Sequence, residues 1–464
     1  MNGVAHVEQR FAILMLTALG LSMAGCNTTN TAMDATTFYA RGLGHRALDV
    51  LSEAKSIEKN QHWATLQEVT VALDANRFDR AAAAVSWVEA RDEVIDERAV
   101  LSGAEIGEDL GSALIDERLR EWVPSLGERV MYEYVALMID LLRGDADQAR
   151  VSSIRIAQAQ SMLEEHRGMP APTIAQGKRE RTEDIVDNID REPAYQQAVA
   201  VYESAAEDSR CAVASLLAGW TRLQLGDSAG RALLHEAAAL APEHDVASRL
   251  LGMSQEACAQ SVLVIQEDGL CPTLRPLRFN VHTWETGVAR VALPIPQLRT
   301  EQTAGPIASG SGEPFQILTN VDELYLAEEF ERAPARLIRT ATRLLSQELA
   351  TRGALRQVRD EDTVSRSLTR LSASLLRTVL VDADVRSWDT RPSVIRVGLV
   401  KKSSEGTIEL ELPEGVRQVN LPPGPNFVRI RTRSGIPTEV QTSPSGLFGA
   451  RTEPMNQDQK GNDL

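Results

Sequence analysis

The sequence predicts an α+β protein: an N-terminal all-α domain of helical hairpins over 38–258, then a C-terminal α+β domain over 261–433 with a mostly antiparallel sheet. Three observations predict it. Apolar residues recur at helical spacing as far as Cys258, and at Ser261 the pattern switches to short β-branched runs bounded by turns. Strands then lie on both sides of a helical pair, the order of an α+β domain and not of alternating βαβ units. Aromatic residues are only 4% of the chain, so its cores must be built from Leu, Ala and Val, which suits helices.

Phe11 to Met23 is an apolar run of thirteen residues. It is short of the ~20 a spanning helix needs and matches the apolar part of a signal peptide. Arg10, partly offset by Glu8, is its basic flank. The run ends in Leu21-Ser-Met-Ala-Gly-Cys26, with small Ala24 and Gly25 before the cysteine and Met23 where Leu is usual. This resembles the lipobox read by lipoprotein signal peptidase. The resemblance implies removal of residues 1–25, a diacylglycerol thioether on Cys26 and a palmitate-like chain on its amine. Several acyl chains at ~0.8 kcal/mol per buried methylene make a firm anchor. Asn27, where Asp would signal inner-membrane retention, points to the periplasmic face of the outer membrane. The plainer alternative is a secretory signal with an incidental cysteine. Residues 26–37 read as a polar tether, and no later stretch reaches the roughly eighteen consecutive apolar residues of a spanning helix.

The net charge of −16 argues against nucleic acid as a partner. The charge is uneven: Arg332 to Arg433 holds 19 Lys and Arg against 11 Asp and Glu, leaving −24 for the rest. Such a segment can mark an anionic partner; complementing the acidic helical half of the same molecule is the preferred reading. Besides Cys26 there are Cys211, Cys258 and Cys271. An oxidising periplasm permits disulfides, Cys258 with Cys271 being one pairing. Three cysteines leave one over, none has a C-x2-C metal spacing, and no bridge is assigned.

In the helical half, Trp63, Leu66, Val69 and Leu73 share a face, and the turn Asp74–Asp79 leads to an alanine-rich helix from Ala81 to Glu89. A second unit carries the stripe Val130, Met131, Tyr134, Val135, Met138, Leu141 and Leu142. Gly144 is placed to end that helix in a left-handed conformation, and Asp145 to cap the next. A third unit runs from Leu217 to Pro242. Its Gly219, Gly226, Gly230, Ala237 and Pro242 sit at the small-residue and terminal-proline positions of a tetratricopeptide (TPR) repeat, which it resembles. The units are not spaced at the ~34 residues of a regular array, so an irregular, curved stack is expected, its concave face a groove for peptide or protein. Between about 167 and 191 the pattern lapses into Gly168-Met-Pro-Ala-Pro172 and a charge-dense run, read as a flexible loop.

Beyond Ser261, strands are expected at Val262–Ile265, Leu277–Val281, Val288–Leu293, Val394–Val400, Thr407–Leu412, Val416–Leu421 and Phe427–Arg431. Helices are expected from Val321 to about Phe330, from Pro334 to Gly353, and through Val364 to Val379. From Ser434 the Pro-, Ser-, Gly- and Gln-rich tail, 434–464, is expected to be disordered.

The order of parts, with Glu128-Arg-Val-Met131, Gly144-Asp145, Ala149-Arg-Val151, Val264-Ile-Gln-Glu-Asp-Gly-Leu270, Ala292-Leu-Pro-Ile-Pro296, Asp384-Val-Arg-Ser-Trp-Asp-Thr-Arg-Pro392 and Leu421-Pro-Pro-Gly424, resembles an uncharacterised family of bacterial TPR-like outer-membrane lipoproteins. The likeness covers most of 20–433, with Arg391 where Leu is usual. It implies an envelope setting near peptidoglycan synthesis.

No catalytic pattern emerges. The seven histidines form no HExxH or other close metal-binding pair. Gly-x-Ser-x-Gly lies only in the Ala308–Gly312 stretch, without the strand-then-helix context of a nucleophile elbow. Asp382-Ala-Asp384 looks like a metal-binding pair, but Arg386 is placed to engage Asp384, with Trp388 packing at a helix-to-strand corner. Arg336, Arg339 and Arg343 share a helix face that reads as solvated. No cofactor, metal or catalytic residue is assigned. The expected function is a non-enzymatic, periplasm-facing lipoprotein scaffold that binds an envelope protein through its helical half. The alternative is a ligand receptor or enzyme with a site at the junction of the two halves, near Arg386, Trp388 and the 300–314 loop. A deep cleft there favours the alternative; a filled junction favours the scaffold.

Overall fold

The structure, a computed structural model, describes residues 34–101, 121–166, 179–203, 210–283, 287–357, 383–444 and 447–448. It is α+β, a helical N-terminal part followed by a sheet-containing part with mostly antiparallel strands, as the change of period predicts. Cys26, the signal segment, Asp382 and the helix expected through Val364–Val379 lie outside the described residues.

After a helical segment at 34–40, the helices α1 (Gly44–Ala54), α2 (Glu58–Asp74) and α3 (Phe78–Leu101) pack in sequence. Next come α4 (Leu126–Arg143) against α5 (Ala146–His166), then α6 (Arg179–Asp190), α7 (Pro193–Glu203), and the pair α8 (Ala212–Gln224) and α9 (Gly230–Leu240). Two short helices, α10 (Val246–Gly252) and α11 (Gln255–Ala259), lead to the first strand. Local chemistry sets the ends. Ser125 and Glu128 form a reciprocal capping box at the start of α4. Gly144 ends it at φ +77°, its N–H turned back to Leu141 O, and Asp145 Oδ1 caps α5 by accepting from Gln148 N at 3.1 Å. Gly219 and Gly230 set the α8–α9 approach: a Cβ on Gly219 would stand 2.8 Å from Gly230 O.

The central sheet runs β10 (Ile436–Thr442), β9 (Asn426–Arg433), β1 (Ser261–Asp268), β6 (Val394–Lys401), β5 (Gln316–Asn320), with only β1 and β9 parallel. β1 alternates between two cores. Leu263 and Ile265 join Trp63, Leu217, Trp220 and Trp388 on the helical side, while Val262 and Val264 face the small sheet of β4 (Ala308–Ser309), β7 (Thr407–Leu412) and β8 (Gly415–Asn420). Burial on both faces explains the unbroken apolar run that begins β1. A third, separate core lies under the hairpin β2 (Thr273–Thr283) and β3 (Gly287–Gln297), covered by α6, α7 and the distal part of α12 (Val321–Gln357).

Several expectations need correcting. The 258–261 boundary is a change of period but not a break in packing, because one core runs from Leu48 to Phe427 through both halves. Residues 179–190, expected to be loop, form α6, whose Ile185 and Ile189 anchor the third core. The break expected at Pro334 does not occur; α12 continues through it, held by Leu324 and Tyr325 on one core and Leu337, Ala341 and Leu344 on another. The tail expected to be disordered from Ser434 begins with β10, which pairs with β9 across a Ser434-Gly435 turn, Gly435 at φ +73°. Pro294 and Pro296, expected to close a strand, lie within β3; a two-stranded ribbon has free edges, so a missing N–H breaks no ladder. The arginine face of α12 is not simply solvated: Arg336 is paired with Glu329 and Arg343 is buried.

Candidate binding groove

The junction named in the sequence is filled. Trp63 Nε1 and Gln67 Nε2 donate to Ser387 O at 2.9 and 2.6 Å, and Trp122 Nε1 donates to Arg386 O at 3.1 Å. Asp389 Oδ1 accepts from Thr36 and Gln67, and Trp388 Nε1 donates to Thr70 Oγ1 at 3.1 Å. Arg386 engages Asp384, as expected, and reaches Lys59 O at 2.7 Å. Arg391 lies between the Tyr325 and Trp388 rings, 3.6 Å from Glu128. Ser387 Oγ, Thr390 Oγ1 and Arg391 Nη2 are buried there without hydrogen-bond partners. In the 300–314 loop, Ala304 and Gly305 donate their N–H groups to Asp268, and Ser309 Oγ meets Ser311 Oγ at 2.7 Å. Cys211, Cys258 and Cys271 are free thiols, so the Cys258–Cys271 pairing does not form; burial pushes Cys211 up to about 12 and raises Cys271 as well.

Deeper in the junction β9 places Arg429, Arg431 and Arg433 on the face that carries Phe427, toward the helices. Arg429 Nη2 meets Asp74 Oδ1 at 2.7 Å and also Glu267; Arg431 Nε meets Asp74 Oδ2 at 3.1 Å. This buried lattice joins the end of α2 to the sheet.

One open groove, of about 1060 Å³, lies at the α2–α3 and α4–α5 turns beside Pro444; another, of about 1040 Å³, is walled by three successive helices of the N-terminal part. Each contributes a stripe at helical spacing: Ser86, Glu89, Glu93 and Asp96 from α3, Leu126, Arg129 and Glu133 from α4, and Arg155, Ala159 and Met162 from α5. Arg155 is paired with Glu89. Arg129 grips Asp96 through both terminal nitrogens, at 2.8 and 3.0 Å, and its Nε stands 3.6 Å from Asp92.

Two buried carboxyls form the floor. Asp92, 4% exposed, accepts from Tyr132 OH at 2.9 Å, and burial pushes its pKa up to about 6 against the pull of Arg129. Glu133, 6% exposed, has no hydrogen-bond partner at Oε2, and burial, with Glu89 nearby, pushes it up to about 8. Behind Asp92, His62 is held edge-on to Trp87 and Trp122, its Nε2 3.4 Å from Asp92 Oδ1. Burial lowers the imidazole to about 4, so it is neutral at physiological pH. At neutral pH the floor therefore carries a protonated Glu133 beside a largely ionised Asp92, in a wall where acidic residues outnumber basic ones.

Sequence reasoning expected a groove on the helical stack but could not place its residues. One signal was present: Glu133 is the single acidic residue inside the apolar stretch Val130–Met138. Asp92 gave none, since it sits in an ordinary polar helix. No protein-family model, curated protein or solved structure matches the chain.

Proposed function

We propose that the chain is a lipid-tethered scaffold at the periplasmic face of the outer membrane, anchored through Cys26, with a TPR-like helical half that binds a segment of an envelope protein. The observation that carries the binding part is the open α3–α4–α5 groove with its buried carboxyl floor, beside a filled Arg386–Trp388 junction. The lipobox-like ending at Cys26 supports the tether, and the family resemblance supports a place near peptidoglycan synthesis. The proposed role is non-enzymatic: the protein holds a partner at the membrane and leaves chemistry to it.

Two measurements test the reading. Cys26→Ala should release the protein from the membrane fraction, and unchanged fractionation refutes the anchor. A photo-crosslinking residue at Met162, on the groove rim and 38% exposed, should capture one reproducible envelope protein in intact cells. Absence of any reproducible adduct from Met162 refutes the groove.

A further inference from the structure

Several facts about the groove narrow what fills it. Of its lining side chains, Glu89, Asp92, Glu93, Asp96 and Glu133 are acidic and only Arg129 and Arg155 are basic, and both arginines are already engaged by Glu89 and Asp96. Glu133 is more than nine-tenths buried, with an oxygen that accepts no hydrogen bond. A buried carboxylate without a donor is costly, so this atom asks for either a proton or a cation. Among the described residues no group of three or more His, Cys, Asp and Glu side chains is arranged to hold a metal ion. A cation that brings its own N–H donors suits the site better. The groove, at about 1040 Å³, stands at the upper end of the ~300–1,000 Å³ of small-ligand sites. Its lip carries the apolar side chains of Leu126, Ala159 and Met162.

We propose that the groove receives a lysine or arginine of a partner segment, its cation laid against the Glu133 carboxylate and its methylenes against Leu126, Ala159 and Met162. This rests on the scaffold reading above and names the chemistry of its partner. On binding, the Glu133 O–H bond breaks, the proton passes to solvent, and the side-chain cation takes its place. The charged and titratable groups around Glu133 are Glu89 and Asp92 on α3, Arg129, Tyr132 and Asp140 on α4, Arg155 on α5, and His62 on α2 behind Asp92. Of these, Asp140 is pushed up to about 7 by burial and Asp92 to about 6. Affinity should therefore rise as pH increases toward about 8, the value for Glu133, by up to about tenfold per pH unit for one released proton.

The test uses the full chain and a ten-residue peptide of alternating leucine and lysine, with calorimetry at pH 6, 7 and 8. The wild type should bind the peptide, with affinity rising across that range. Glu133→Gln, which keeps the shape, should weaken binding about 30-fold or more and flatten the pH dependence. The same peptide with acetylated lysines should not bind. Equal binding by Glu133→Gln, binding of the acetylated peptide, or spermidine matching the peptide would each overturn the proposal. The Met162 crosslink separates the two readings. An adduct formed equally in wild type and Glu133→Gln keeps the groove and removes the cation anchor; no adduct in either removes the groove itself.

Discussion

Asp74→Asn should be among the most damaging conservative changes in this protein. Asp74 is 3% exposed at the end of α2, where its two oxygens meet Arg429 at 2.7 Å and Arg431 at 3.1 Å, with Tyr39 OH donating as well. Burial alone would raise its pKa, but Arg429 and Arg431 override it and hold the carboxyl well below the usual range. Asparagine keeps the volume, removes the charge and turns an N–H₂ toward a guanidinium. Arg429 retains Glu267, whereas Arg431 keeps only neutral partners, Glu267 O at 3.2 Å, Tyr39 OH at 3.4 Å and Thr390 O at 3.5 Å. Removing one member of a buried ion pair costs about 3–5 kcal/mol. Urea unfolding, followed by helical and tryptophan signals together, should show that loss in a single transition, because both halves share one core. The sign of the pH dependence follows from a folded pKa below the ordinary 3.8: the stabilisation is present above 3.8 and is lost as pH falls through the folded value. The gap between wild type and variant should thus close in strong acid. A loss under about 1 kcal/mol at pH 7, or separate transitions for helices and sheet, would refute the reasoning. A double-mutant cycle with Arg431→Met should return a coupling above about 1 kcal/mol.

Other changes probe the remaining structural claims. Gly230→Ala places a methyl against the Gly219 carbonyl and should cost about 1–3 kcal/mol by separating α8 from α9; a Tm equal to wild type would contradict that packing. Truncation after Arg433 removes β10, Ser443, which bonds Phe427 at both N–H and O, and Phe448, which packs edge-on to Trp220. It should yield insoluble or aggregated protein, and a soluble product with unchanged Tm would mean that the tail is dispensable. Glu133→Gln should alter stability in a pH-dependent way. Its folded pKa of about 8 lies above the ordinary 4.5, so stability falls as pH rises between them. The variant should equal wild type near the lower value and exceed it by about 2–4 kcal/mol above the upper one; parallel Tm curves from pH 5 to 9 would refute it.

Local signals in the sequence specify a good part of the structure. Gly144 as a helix stop, Asp145 as a cap, Gly219 and Gly230 at a close helix approach, and the Asp384–Arg386 corner all rest on interactions within a few residues or within one hairpin. The elements that depart from their local pattern do so for a common reason. α6 and β10 look like polar loop and tail because one face is all their partners cover; the Ser434-Gly435 turn was the signal for β10, and it lay inside a Pro- and Ser-rich run. Helix α2 carries Asn60, Gln67, Thr70 and Asp74 as if to solvent, yet the 386–391 corner and β9 bury all four.

By itself, then, the sequence determined most of the secondary elements, several of their stops such as Gly144, the α+β class and the expectation of a groove on the helical half. Only the tertiary structure decided that the two halves share a core, that the Arg429–Arg431 row is buried against Asp74, and that Glu133 lies unpaired in the floor of that groove. Periodicity encodes which face of an element is apolar. It does not encode which charged residues from distant segments will meet, because a buried charge is tolerated only through partners that the fold brings together from hundreds of residues away.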